Sequence, residues 1–207
     1  MLDERRWRDL LGRCGGNADA TDAYPRLLAA YRRPDRFYHA AAHIGDCLHW
    51  LDQSRSTAGR PDEVELALWF HDAVYDPHAS DNEERSAAWA SDSLEAAGID
   101  RAVRGRVHDL ILATKHNAPP TAGDAEVIVD IDLSILGRDP DTFSAYDGAI
   151  AKEYAWVPWE QYRAGRTAVL DGFLRRAAIF RTEFFRERFE DRARRNILAA
   201  IRMLNGG

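Results

Sequence analysis

The stretch YHAAAHIGDCLHWL, residues 38–51, sets His39, His43 and His49 into an apolar pattern with helical spacing. Histidines so placed either pack or hold a metal, and a metal needs partners from elsewhere in the chain. Two other stretches offer them. ALWFHDAVYD, residues 67–76, puts His71 next to Asp72 among Leu68, Trp69, Phe70, Val74 and Tyr75. An ionised carboxylate among aromatic neighbours is costly unless a cation or hydrogen bonds compensate it. If the pair lies within a helix, the two side chains point about 100° apart and reach one ion only when it sits close against the helix between them. VDIDL, residues 129–133, interrupts an apolar run with Asp130 and Asp132. Val129, Leu133 and Leu136 share a helical face with Asp132, so Asp132 is expected to be the more inward-looking of the two. Histidines and aspartates together make a mixed nitrogen and oxygen set, suited to Mn, Mg, Fe, Ni or Zn rather than to a thiolate-selective ion.

The elements that must position these residues are helical by period. Apolar residues recur at i, i+3, i+4 near 3–13, 21–33, 39–55, 62–75, 82–97, 101–116, 125–137, 141–156, 159–176 and 182–204. The β-branched run VIVDIDL is the one ambiguous piece; a lone strand would have nothing to pair with, so a helix is expected there too. Turn chemistry agrees: SDNEE (80–84) suits a helix start, Gly98 a left-handed helix end, and RDPD (138–141) a break between helices. The expectation is an all-α bundle of roughly eight to ten helices. With 207 residues and no Pro/Gly/Ser-rich run long enough for a linker, one domain over residues 1–207 is the default.

Composition narrows the function. A net charge of −6 disfavours a general nucleic-acid binder, which needs a basic surface for the phosphate backbone. Cys14 and Cys47 lie far apart without CxxC spacing, so neither a disulfide framework nor a zinc ribbon is indicated. The N-terminal residues lack the continuous apolar core of a signal peptide, and no apolar stretch of roughly 18 residues exists to span a bilayer. The simplest reading is a cytoplasmic protein with neither nucleic-acid nor membrane partners. No GxxxxGK[ST] phosphate loop occurs.

The order of a His, then a His-Asp pair, then a distant Asp resembles the HD superfamily of metal-dependent phosphohydrolases. The dipeptide alone is weak, but RFYHAAAHI, WFHDAVYD, NEERSA, ILATKHN, DIDLSILG, KEYAWVP, QYRAGRTAVLDGFL and IFRTEFF together resemble its predicted metal-dependent phosphohydrolase subgroup, over about residues 21–204. The resemblance implies the HD helical bundle and a ligand set of His43, His71, Asp72 and Asp132. It also selects the second histidine of YHxxxH, leaving His39 to orient a neighbour or contact substrate. His49 is expected to be structural or exposed. A divalent ion so held, one per chain, would polarise a phosphoryl oxygen and activate water, implying hydrolysis of a small phosphorylated metabolite such as a nucleotide.

Other residues fit that chemistry less specifically. Asp76 and Glu83 are candidates to orient water or protonate a leaving oxygen, although Glu83 also suits a first-turn helical acid. Arg36 and Arg166 are candidates for phosphate contacts, each with a solvated or structural ion pair as the plain alternative, and Lys115 with His116 is a further candidate pair for a substrate phosphate. A second ion would call on His108 and His116. At i, i+8 on one helix these stand ~12 Å apart, too far to share an ion. Two further readings are a di-iron HD-fold oxygenase and a metal-stabilised binding or regulatory module without turnover. In the C-terminal helix, Phe185, Phe189, Ile197 and Ile201 are expected to pack inward.

Overall fold

The computed structural model describes residues 2–116, 118 and 120–206. Among these the chain is all-α, without a strand: α1 (Glu4–Arg13), α2 (Ala23–Tyr31), α3 (Ala41–Ser54), α4 (Pro61–Phe70), α5 (Asn82–Ala96), α6 (Arg101–Ala113), α7 (Asp124–Leu133), α8 (Pro140–Glu153), α9 (Trp159–Leu174) and α10 (Glu183–Leu204). VIVDIDL is helical, as its lack of a pairing partner required. No helix among the described residues is long and apolar enough to cross a membrane.

Local signals explain the boundaries. The carboxylates of Asp3, Asp100 and Asp139 accept the free N–H groups that open α1, α6 and α8. Pro61 and Pro140 begin α4 and α8, where the missing N–H costs nothing. Gly98 follows α5 at φ 79°, the left-handed position expected of it.

Two compact units emerge, Met1–Val129 and Asp130–Gly207. Their boundary falls inside α7, so no change of composition marks it in the sequence. In the first unit α4 is the central helix, packed by α1, α3, α5 and α6 and buried from Glu63 to Phe70. Trp7 of α1 meets Trp69 and Phe70 edge-on, with ring centroids 5.5 and 5.8 Å apart. A helix buried on all sides must neutralise any charge it carries. Glu65, 1% exposed, does so by accepting from Arg6 Nε at 2.6 Å and Arg55 Nη1 at 3.1 Å, with Arg13 Nη2 at 3.5 Å.

In the second unit α10 packs against α8, α9 and a 3-10 turn at Ser134–Gly137. Phe185, Phe189 and Ile197 face the core, whereas Ile201 is half-buried. Asn196 of α10 donates to the Leu136 and Arg138 carbonyls, both at 2.9 Å, fixing the turn against the helix. Contact there is close enough that a Cβ on Gly137 would lie 2.3 Å from Phe189 Cβ and 2.9 Å from its Cα. Since the obstruction includes backbone, Gly137→Ala should destabilise the protein by about 1–3 kcal/mol, the usual range for overpacking. Chemical denaturation would measure this, and an unchanged midpoint would show that the turn can retreat.

Candidate metal centre

His71 and Asp72 lie just beyond α4 rather than within it, which corrects the expectation that the helix runs on to residue 75. The His71 N–H still reaches the Ala67 carbonyl at 2.9 Å, but Ala73 N–H turns back to Phe70 at 2.8 Å, closing the helix in a tight turn. His71 itself keeps helical backbone, φ −55° and ψ −35°. His71 Nδ1 lies 3.0 Å from the Leu68 carbonyl. A carbonyl only accepts, so Nδ1 carries a proton, and Nε2 is the nitrogen that would give up its own to hold a metal.

Nε2 of His71 faces the corresponding atom of His43, 3.1 Å away. Asp72 Oδ2 completes a triangle at 3.3 Å from His43 Nε2 and 3.2 Å from His71 Nε2. Such edges suit donors around one ion at bond lengths of about 2.0–2.2 Å. His43 and His71 are 5% and 1% exposed, and Asp72 is the most accessible member at 18% for its side chain. Burial opposes the charge of Asp72. The His71 and His39 imidazoles and hydrogen bonds from His43 and His71 outweigh it, holding the carboxyl well below its usual range.

Cys47 joins this group. It lies one turn after His43 on the same face of α3, with Sγ 3.7 Å from both ring nitrogens of His43. The ligand atoms of His43, Cys47 and His71 all fall within 4.8 Å of one another, a buried group able to hold a metal ion. Sequence reasoning weighed Cys47 only for disulfide or zinc-ribbon spacing. Its i, i+4 relation to His43 was the signal that could have found it.

Residues around the triangle come from the loops flanking α3 and α4. His39 precedes α3 and stacks on Tyr75, with centroids 4.0 Å apart; Tyr38 leans over His43 at 4.6 Å. Arg36, 7% exposed, donates to the carbonyls of His39, Asp72 and Ala73. His49 is exposed beside Trp50, as expected.

Of the two carboxylates in the second unit's part of α7, Asp130 is wholly buried and Asp132 only partly, the reverse of the expected order. The reason lies at the start of α10. Asp130 accepts the Arg181 N–H at 2.8 Å, the Thr182 N–H at 2.7 Å and the Thr182 hydroxyl at 2.8 Å. Its charge is met by a helix entrance, a role the alternation in DIDL does not reveal.

Other candidates have their own partners. Asp76 accepts from the His78 backbone and ring at 2.9 and 3.1 Å, and these bonds hold its carboxyl below the usual range. Asn82 braces the same loop through the Asp76 N–H and carbonyl. Glu83 occupies the first turn of α5. Lys115 bridges the end of α6 to Glu84 and the Ser80 carbonyl. α6 closes at Ala113, so His108 and His116 do not share a helix as their spacing suggested. His116 follows in left-handed backbone at φ 54°, uncommon for a side chain with a Cβ. Asn117 of ILATKHN lies outside the described residues. Arg166 of the second unit is buried against Asp147 at 2.7 Å and the Tyr146 ring. Burial works against its charge, but Tyr146 and Asp147 prevail and raise its pKa.

Comparison with protein-family models, curated proteins and solved structures found no match. The class of the protein therefore stands on this geometry: an all-α chain in which two buried imidazoles and a thiol form a group able to hold a metal ion, with the Asp72 carboxylate against both imidazoles.

The bonds of Asp130 can be tested without any metal. Asp130→Asn leaves one acceptor oxygen and turns an amide toward N–H donors, so it should lower unfolding free energy by about 1–3 kcal/mol. Equilibrium denaturation measures this, and an unaltered stability would show that the α10 entrance does not depend on the carboxylate.

Proposed function

We propose that the chain is a metal-dependent phosphohydrolase, of the kind its resemblance to the HD superfamily implies, acting on a small phosphorylated metabolite such as a nucleotide. The observation that carries this reading is the triangle of His43 Nε2, His71 Nε2 and Asp72 Oδ2, with edges of 3.1–3.3 Å. The donor set fits a divalent ion such as Mn, Fe, Ni, Zn or Mg. We assign Asp132 as a further ligand on its residue type and its place in the order His, His-Asp, Asp. A bound ion supplies Lewis acidity toward a phosphoryl oxygen and the attacking water.

The chain's own residues do the rest. The Leu68 carbonyl keeps His71 in the ligating tautomer. Asp72, ionised and at the accessible edge, offers charge where a substrate enters. Asp76, held below the usual range by His78, suits orienting a water better than protonating a leaving oxygen, which leaves Glu83 as the candidate acid. His39, Lys115, His116 and Arg166 are the side chains assigned to substrate contact.

Protein prepared without chelator should hold about one divalent ion per chain by elemental analysis, and His71→Ala or Asp72→Ala should abolish it. Asp132→Asn should weaken binding more than Asp130→Asn. Phosphate release, screened over nucleotides and sugar phosphates, should require added divalent metal and neither oxygen nor reductant. Full metal content in both His71→Ala and Asp72→Ala would remove the basis of the reading. Two irons per chain with oxygen consumption would select an oxygenase, and bound metal without turnover a binding module.

A further inference from the structure

Arg36 is a buried cation used in an unusual way. Its Nη1 donates to the His39 carbonyl at 3.2 Å and the Asp72 carbonyl at 2.7 Å, and its Nη2 to the Ala73 carbonyl at 2.9 Å. The guanidinium carbon lies 5.4 Å from the Tyr31 ring centroid and 5.7 Å from that of Tyr75. Among the described residues no carboxylate stands within ion-pair distance of it. Burying a charge without an opposite partner is expensive, so the three carbonyl bonds must hold something that tolerates little movement.

What they join is informative. The His39 carbonyl belongs to the segment that enters α3, and α3 carries His43 four residues later. Asp72 and Ala73 form the turn that leaves α4, and that turn carries the His71-Asp72 pair. Ala40 opens α3 without a side-chain cap, and the Asp72 and Ala73 carbonyls lie just past the donors that His71 and Tyr31 supply to α4. Arg36 thus spans the two segments whose separation sets the distance from His43 Nε2 to His71 Nε2 and Asp72 Oδ2.

We infer that Arg36 is a positioning residue for the metal centre: its guanidinium clamps the α3 entrance to the α4 exit and thereby fixes the ligand spacing. The inference rests on the reading of His43, His71 and Asp72 as metal ligands. Planarity matters to it, because two nitrogens in a rigid fork address three carbonyls, whereas a lysine ammonium places one point charge on a flexible stem. Arg36→Lys therefore keeps the charge and loses the clamp.

The test is Mn2+ binding to metal-stripped full-length protein, followed by the electron paramagnetic resonance signal of free Mn2+. Arg36→Lys and Arg36→Ala should each weaken binding about 10–100-fold, the usual loss when a group supporting the ligands is removed. Adding methylguanidinium to Arg36→Ala should restore part of the affinity, and methylammonium should not. Thermal melts of the stripped variants report the folded fraction. Wild-type affinity in Arg36→Lys, or a loss in both variants that only tracks the unfolded fraction, would overturn the clamp while leaving the metal centre standing. Failure of the wild-type protein to bind Mn2+ would overturn both.

Discussion

The carbonyl groups at the end of α4 have almost no access to water. A helix leaves its last carbonyls without intrahelical partners, and α4 ends among buried aromatic residues where solvent cannot supply them. Side chains must. Tyr31 donates its hydroxyl to the Trp69 carbonyl at 2.9 Å, His71 presents Nδ1 to Leu68, and Arg36 reaches the Asp72 and Ala73 carbonyls just beyond. Backbone satisfaction and the metal-competent arrangement are thus one set of bonds. The contact that relieves Leu68 also sets the tautomer of His71, and the one that relieves Asp72 also ties its segment to the entrance of α3.

Most of the helical pattern was legible because it depends on periodicity, which a buried face imposes directly on sequence. The end of α4 was not. His71, Asp72 and Val74 continue an apolar, helix-compatible run, and nothing local demands a turn at Phe70. The stop is set by Tyr31 and Arg36, contributed from 38 and 36 residues away. The same limit applied to α6, whose apolar spacing runs past Ala113 although the backbone turns left-handed at His116.

Residue type named the chemistry of the candidate site better than it ranked its members. His43, His71 and Asp72 are brought together as their order suggested. Asp130 and Asp132, by contrast, sit in the same apolar text, and a buried carboxylate can be met by a cation or by the N–H groups opening another helix. Which applies depends on Arg181 and Thr182, some fifty positions on. Cys47 was hidden for a different reason: spacing rules for cysteine look for a second cysteine, whereas this thiol's neighbour is an imidazole one turn back on α3.

The boundary between the two compact units bears on how the chain can be divided. It falls between Val129 and Asp130, both buried, and inside a continuous helix. A protease finds no flexible, exposed segment there to enter, unlike the loops where nicking usually begins. Truncation at that point would split α7 into two pieces, each too short to keep its turns, and would leave Asp130, the carboxylate that meets the α10 entrance, at a free chain end. The units are compact by their contacts, yet a cut at their boundary breaks a helix.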